Sequence, residues 1–115
     1  MNIKEIEERS GLTRANIRYY EQEGLIAPVR RENKYRDYSE EDLETLLRIA
    51  LLRSLGFSLE EIRRLQSGEA DFAAAMRERS AALESEGQRL LAARNVCDAI
   101  SREVTSYSAL RPEDY

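Results

Sequence analysis

The chain has no histidine, a single cysteine, two prolines and five glycines among its 115 residues. Each shortage excludes something. One cysteine rules out an intrachain disulfide framework and an iron–sulfur cluster, which takes about four thiolates. Without histidine, one chain cannot supply the ligands of a soft-metal site, so two chains would have to share it. No cofactor is expected. There is no Gly-rich phosphate loop and no nucleophile beside a base. The acidic pairs Glu7-Glu8, Glu40-Glu41 and Glu60-Glu61 fall at helix starts or outer faces and read as caps and solvated charge. The expectation is not an enzyme. No apolar run approaches the ~20 residues needed to cross a bilayer, and the first residues lack a signal-peptide pattern. A cytoplasmic protein with no membrane partner is expected. The scarcity of chain breakers favours helix.

What is present is charge, unevenly spread. Charged residues make up 35% and apolar residues 42%, with a net charge of −4. Residues 14–36 hold six basic side chains (Arg14, Arg18, Arg30, Arg31, Lys34, Arg36) against three acidic ones, a local +3. Residues 67–115 carry a local −3. A basic patch on an acidic chain suits a nucleic-acid contact, because counterion release depends on local phosphate contacts and not on the total charge.

The head is read from caps and stops. Asn2, with Glu5 three residues on, starts a first helix as a capping box, and Ser10-Gly11 ends it. Thr13 caps a second helix running to about Glu23, and Gly24 stops it. Two short helices around a Gly-containing turn form the helix-turn-helix pattern. Leu12, Ile17 and Tyr20 face the first helix, which leaves Arg14, Ala15, Arg18 and Tyr19 outward. Residues 25–38 are not helical in pattern, and two short strands around Glu32-Asn33-Lys34 would make a wing. Ser39 opens a third helix with Glu40, Glu41 and Asp42 in its first turn, where the helix dipole favours acids. Leu43, Leu46, Leu47, Ala50, Leu51 and Leu55 form its apolar stripe. Ser58 and Glu61 form another capping box, opening a helix with Leu59, Ile62 and Leu65 that ends at Gly68.

From Glu69 to Tyr107 there is no proline and one glycine. Met76, Leu83, Leu90, Cys97 and Val104 recur every seven residues. A second series, Arg79, Glu86, Ala93, Ile100 and Tyr107, is apolar only in its later half. This heptad predicts one helix over 69–107 of nearly 60 Å. So long a stripe needs a partner helix, and self-association is the simplest source. Cys97 falls in the seam series and reads as a small packing residue. The tail 108–115, with Pro112, is expected to be frayed.

These motifs, taken in order, resemble the MerR family of bacterial transcription regulators. The matching residues are Ile-Arg-Tyr-Tyr at 17–20, Glu-Gly-Leu-Ile at 23–26, Pro28, Arg30, Tyr35-Arg36 with Tyr38, Ser-Glu-Glu-Asp-Leu at 39–43, and Leu-Gly-Phe-Ser-Leu-Glu-Glu-Ile at 55–62. The resemblance implies a mainly α fold: a winged helix-turn-helix DNA-binding domain over 1–68, then a long dimerisation helix over 69–107 forming an antiparallel coiled coil. It implies a homodimer on a pseudo-palindromic promoter operator. Such dimers bend and untwist an overlong spacer, so that RNA polymerase is affected indirectly through the promoter.

Carried onto this chain, the resemblance and the outward pattern assign double-stranded DNA to Thr13, Arg14, Asn16, Arg18, Tyr19, Arg30, Lys34, Tyr35, Arg36 and Tyr38. Arg18 and Tyr19 would hold phosphates. Arg14 and Asn16 stand at the start of the recognition helix, where Arg reads guanine and Asn reads adenine. The wing residues would contact or support the backbone. Asn16 stands where Thr is common in the family, and Lys34 where Gly or Asn is common. The dimer seam is assigned to Met76, Leu83, Leu90, Ala93, Cys97, Ile100 and Val104. Two other readings stay open: a protein–protein adaptor working through its long helix, and an excisionase-like architectural protein.

Overall fold

The computed structural model describes residues 1–115, which divide into two compact units, Met1–Ala70 and Asp71–Tyr115. The first unit holds α1 (Ile3–Ser10), α2 (Arg14–Gln22), strands β1 (Val29–Arg30) and β2 (Arg36–Asp37), α3 (Glu40–Ser54) and α4 (Leu59–Ser67). The second holds α5 (Phe72–Glu103) and two short 3₁₀ turns, Tyr107–Ala109 and Pro112–Asp114.

Every helix begins on the side chain the sequence offers for it. Asn2, Thr13, Ser39, Ser58 and Asp71 each accept the backbone N–H of the residue three places on. Ser58 and Glu61 complete a reciprocal box, as expected, and Ser39 and Asp42 complete a second one. The box expected at Asn2 is only half formed, because Glu5 donates its N–H but returns no side-chain bond. Gly11 and Gly68 close α1 and α4 in the left-handed region, at φ 73 and 82.

The core of the first unit is apolar and joins its four helices. Ile6 of α1, Ile17 and Tyr20 of α2, Leu25, Ile26, Tyr38, Leu43, Leu46 and Ile49 of α3, Phe57, and Ile62 of α4 are buried. Each fully buried aliphatic side chain contributes about 1.5–3 kcal/mol. The third helix corrects its predicted stripe. Leu43 and Leu46 are buried and Ile49 joins them, whereas Leu47, Leu51 and Leu55 are exposed. Residues four apart drift round a helix by ~40°, so a stripe this broad outruns what one packed face can cover.

The second unit is a helix shorter than predicted. α5 spans 32 residues, or about 48 Å. It stops at Val104, whose backbone is extended (φ −123, ψ 130). Val104 and Thr105 are β-branched, which disfavours helix continuation. Val104 therefore caps the helix instead of extending its seam, and Tyr107 lies in a 3₁₀ turn, 94% exposed. The tail is not frayed: it is turned back, and the Tyr115 hydroxyl donates to Glu103 Oε2 at 2.5 Å. No residue of α5 is buried in the single chain, and Leu83, Leu90, Leu91 and Val96 are exposed along it. Leu91 and Val96 lie outside both heptad series read from the sequence. No helix is long and apolar enough to cross a membrane.

Candidate nucleic-acid interface

The second helix is built to turn one face inward and one outward. Ile17 is fully buried and Tyr20 nearly so, while Arg14, Ala15, Asn16, Arg18 and Tyr19 are exposed. Thr13 fixes the entry to the helix, its Oγ1 accepting the Asn16 N–H at 3.1 Å. The Tyr19 ring leans on that of Tyr20, with centroids 6.1 Å apart and planes tilted by 51°. Tyr19 thus stands exposed beside a buried neighbour.

The wing is a minimal antiparallel ribbon, pairing Val29 with Asp37 and Arg30 with Arg36. Its turn is closed by Arg31 N–H donating to the Tyr35 carbonyl, and by Lys34 N–H donating to the Arg31 carbonyl. Asn33 Oδ1 also accepts the Tyr35 N–H. Lys34 sits at φ 66, the left-handed region that Gly or Asn enters at less cost. The departure from the family pattern noted in the sequence therefore falls on the one strained position of the wing. It leaves a cation at the tip.

Beyond β2 the ribbon is extended by the start of the chain. The Met1 amine donates to Asp37 Oδ1 at 2.9 Å and to the Tyr38 carbonyl at 2.7 Å, and Tyr38 N–H donates to the Met1 carbonyl. Asp37 also accepts from Arg31. The Met1 amine first, and Arg31 second, hold the Asp37 carboxyl below its ordinary range.

Acids select which of the basic side chains remain free. Arg14 is held by Glu7 of α1. Arg36 donates its Nε to both oxygens of Glu21. Arg30 lies 3.9 Å from the same carboxylate, and Arg31 pairs with Asp37. Arg18 and Lys34 have no acidic partner. Arg18 also lines two neighbouring clefts. One is shared with Ala15, Tyr19, Glu21, Gln22, Arg30 and Arg36, its acid Glu21 being the one already held by Arg36. The other, of about 110 Å³, is shared with Asn2, Ile3, Lys34, Tyr35 and Arg36. Arg18 therefore stands where α2 and the wing meet.

The structure brings nine of the ten assigned residues to the surface of the first unit. Tyr38 is the correction. Its ring is 1% exposed, and burial pushes its phenol above the ordinary range, with Glu21 adding to the effect. The hydroxyl has no hydrogen-bond partner. A side chain packed there supports the wing from beneath and cannot reach a phosphate. Glu21 and Asp37 were given no role by the sequence reading, and Glu7 was read there as cap or solvated charge. For Glu21 and Asp37 the available signal was an acid embedded in a basic segment, which has few reasons to be there except to position its neighbours; Glu7, among other acids, carries no such signal.

The seam residues are unpartnered in the single chain. Leu83, Leu90, Ala93 and Cys97 are exposed, and Met76, Ile100 and Val104 are half-buried. The structure gathers no three His, Cys, Asp or Glu side chains that could hold a metal.

Comparison with known proteins bears on the family and the fold. The model for the MerR HTH family regulatory protein matches residues 1–69. The HTH-type transcriptional regulator HmrR of Rhizobium leguminosarum is 54% identical over 65 residues, covering 56% of this chain and 50% of its own length. This chain thus spans about half the length of such relatives. An uncharacterised HTH-type transcriptional regulator of Pseudomonas aeruginosa is 40% identical over 112 residues, covering 96% of this chain and 77% of its own. Among solved structures, the N-terminal part of MtaN, the Bacillus subtilis multidrug transporter activator, superposes with a TM-score of 0.75 at 29% identity. It covers 92% of this chain and 99% of that one. These relatives are transcription regulators, not enzymes. With its capped helix-turn-helix, its two-stranded wing and the family match over most of the head, the chain belongs to the MerR family of transcriptional regulators.

Proposed function

We propose that this regulator binds double-stranded promoter DNA as a homodimer. One head would occupy each half of a pseudo-palindromic operator, and transcription would be controlled by bending and untwisting the spacer. The observation that carries the reading is Arg18. It is the cation of α2 without an acidic partner, and it lines one cleft with Arg30 and Arg36 of the wing strands and another with Lys34 and Tyr35 of the wing turn. A phosphate seated beside it would meet Lys34 or Arg30 as a second cation, with Tyr19 or Tyr35 as a neutral donor. Phosphate contacts of this kind set register and orientation on the duplex. The exposed leucines of α5 supply the second half of the reading. A helix that buries none of its own residues is stabilised by pairing with a copy of itself. RNA polymerase would be reached through the promoter, by deformation of the DNA.

The test is selection from a random duplex pool, followed by affinity for the winning sequence across a range of salt. Enrichment of an inverted repeat with a steep salt dependence is expected. Failure to enrich any sequence, with weak and salt-insensitive binding, would sink the reading in favour of a protein–protein adaptor.

A further inference from the structure

We infer that Glu7, on the helix that does not face the groove, sets base selectivity by aiming Arg14. This rests on the DNA-binding reading above. The carboxylate does two things at once. Its Oε2 accepts the backbone N–H of Arg14 at 3.0 Å, and its Oε1 accepts Arg14 Nε at 3.2 Å and Nη2 at 3.0 Å. The first bond satisfies one of the donors that a helix start leaves without an intrahelical acceptor. Glu7 thereby ties α1 to the first residue of α2 across the turn. The other two bonds fix the plane of the guanidinium.

Which edge is used decides what remains. A guanidinium presents two edges, one formed by Nε and Nη2 and one by Nη1 and Nη2, each able to donate in parallel. Glu7 occupies the first. The second stays free, on a side chain that is 48% exposed at the start of the recognition helix. A pair of parallel donors of that spacing is the group that reads O6 and N7 of guanine. Holding it in place beforehand removes rotamer freedom that binding would otherwise have to freeze. The alternative geometry, an acid covering the free edge, would mask Arg14 from DNA, but the two hydrogen bonds lie on the other side.

The selection experiment with the full chain separates the possibilities. The wild type is expected to enrich guanine at one position of each half-site, and Arg14→Ala to abolish that preference. Glu7→Gln keeps an oxygen for the Arg14 backbone N–H but loses the charge. It should lower the guanine preference at that same position by about tenfold and leave the other positions unchanged. Glu7→Ala combined with Arg14→Ala should match Arg14→Ala alone. Melting curves establish that each variant is folded, and Glu7→Gln serves if Glu7→Ala is not. The inference is overturned if the Glu7 variants weaken all sequences by one common factor with preferences intact, since that is a structural role. Uniformly tighter binding overturns it too, since Glu7 would then only mask the cation. So does an Arg14→Ala variant with unchanged preferences. Those outcomes leave the DNA-binding reading standing, whereas a wild type that enriches nothing removes both.

Discussion

Glu21 of α2 holds Arg36 of β2, both carboxylate oxygens accepting Arg36 Nε at 2.7 and 2.9 Å. The two side chains are only 17% and 28% exposed, and Arg30 stands 3.9 Å away on the neighbouring strand. One acid therefore joins the two elements that would grip the duplex. A two-residue strand pair is too short to hold itself, so the wing depends on such ties. Glu21→Gln should lower stability by about 1 kcal/mol, because a half-buried arginine loses its counter-charge. Urea denaturation measures it, and an unchanged midpoint would mean the wing is held by something else.

Tyr38 offers a sharper case. Its hydroxyl is buried and unpartnered, and an unmade hydrogen bond costs about 1–3 kcal/mol. Tyr38→Phe should therefore be neutral or stabilising by up to about 1 kcal/mol, with operator affinity retained. A stable variant that binds DNA several-fold more weakly would return the hydroxyl to the interface.

Arg18→Ala should weaken binding to every sequence alike and lower the salt slope by ~1, the signature of one lost phosphate contact. Titrations of the operator and of an unrelated duplex at several salt concentrations give both numbers. A loss confined to one operator base would reassign Arg18 to sequence readout.

Leu90→Asp places a charge in the middle of the exposed stripe of α5. If the stripe is the dimer seam, sedimentation should show monomers where the wild type shows dimers. A variant that still sediments as a dimer would move the seam elsewhere.

The tail gives a pH-dependent prediction. Tyr115 donates to Glu103, and this bond pushes its phenol up from 10.0 to about 12, with burial and the Glu103 charge adding to it. A folded-state value above the unfolded one favours the protonated tail. The contribution is fully present below pH 10 and is lost as pH rises through about 12. The ring-carbon resonance of Tyr115 should report that high midpoint, and Glu103→Gln should bring it down toward the ordinary value.

Much of this architecture is legible in single residues. Thr13, Ser39 and Ser58 begin helices because their side chains can accept an orphan N–H, a property of four consecutive residues at most. Gly11 and Gly68 end them because the left-handed region is open to glycine. Ile17 and Tyr20, three apart, must share a face. The family pattern in the head follows from the same local signals, kept in order. The readings that changed depend on distance through space. Leu47 and Leu51 look like core by spacing, yet α3 is covered on too narrow a face to bury them. Tyr38 looks like its exposed neighbour Tyr35 in a list of aromatics, and only packing separates them. The heptad count carried α5 to Tyr107, whereas two β-branched residues and a returning tail end it at Val104.

The sequence by itself therefore determined where the helices of the head start and stop, which short segment is a wing, and which family the head belongs to. Caps, turns and period are decided within a few residues. Only the tertiary structure decided which cations are free. Arg14 meets Glu7 seven residues away, Arg36 meets Glu21 fifteen away, and Arg31 shares Asp37 with Met1. A charge count over residues 14–36 cannot see these pairings. An ion pair is a matter of ångströms between side chains, and the chain path that brings them together is set by a core made elsewhere.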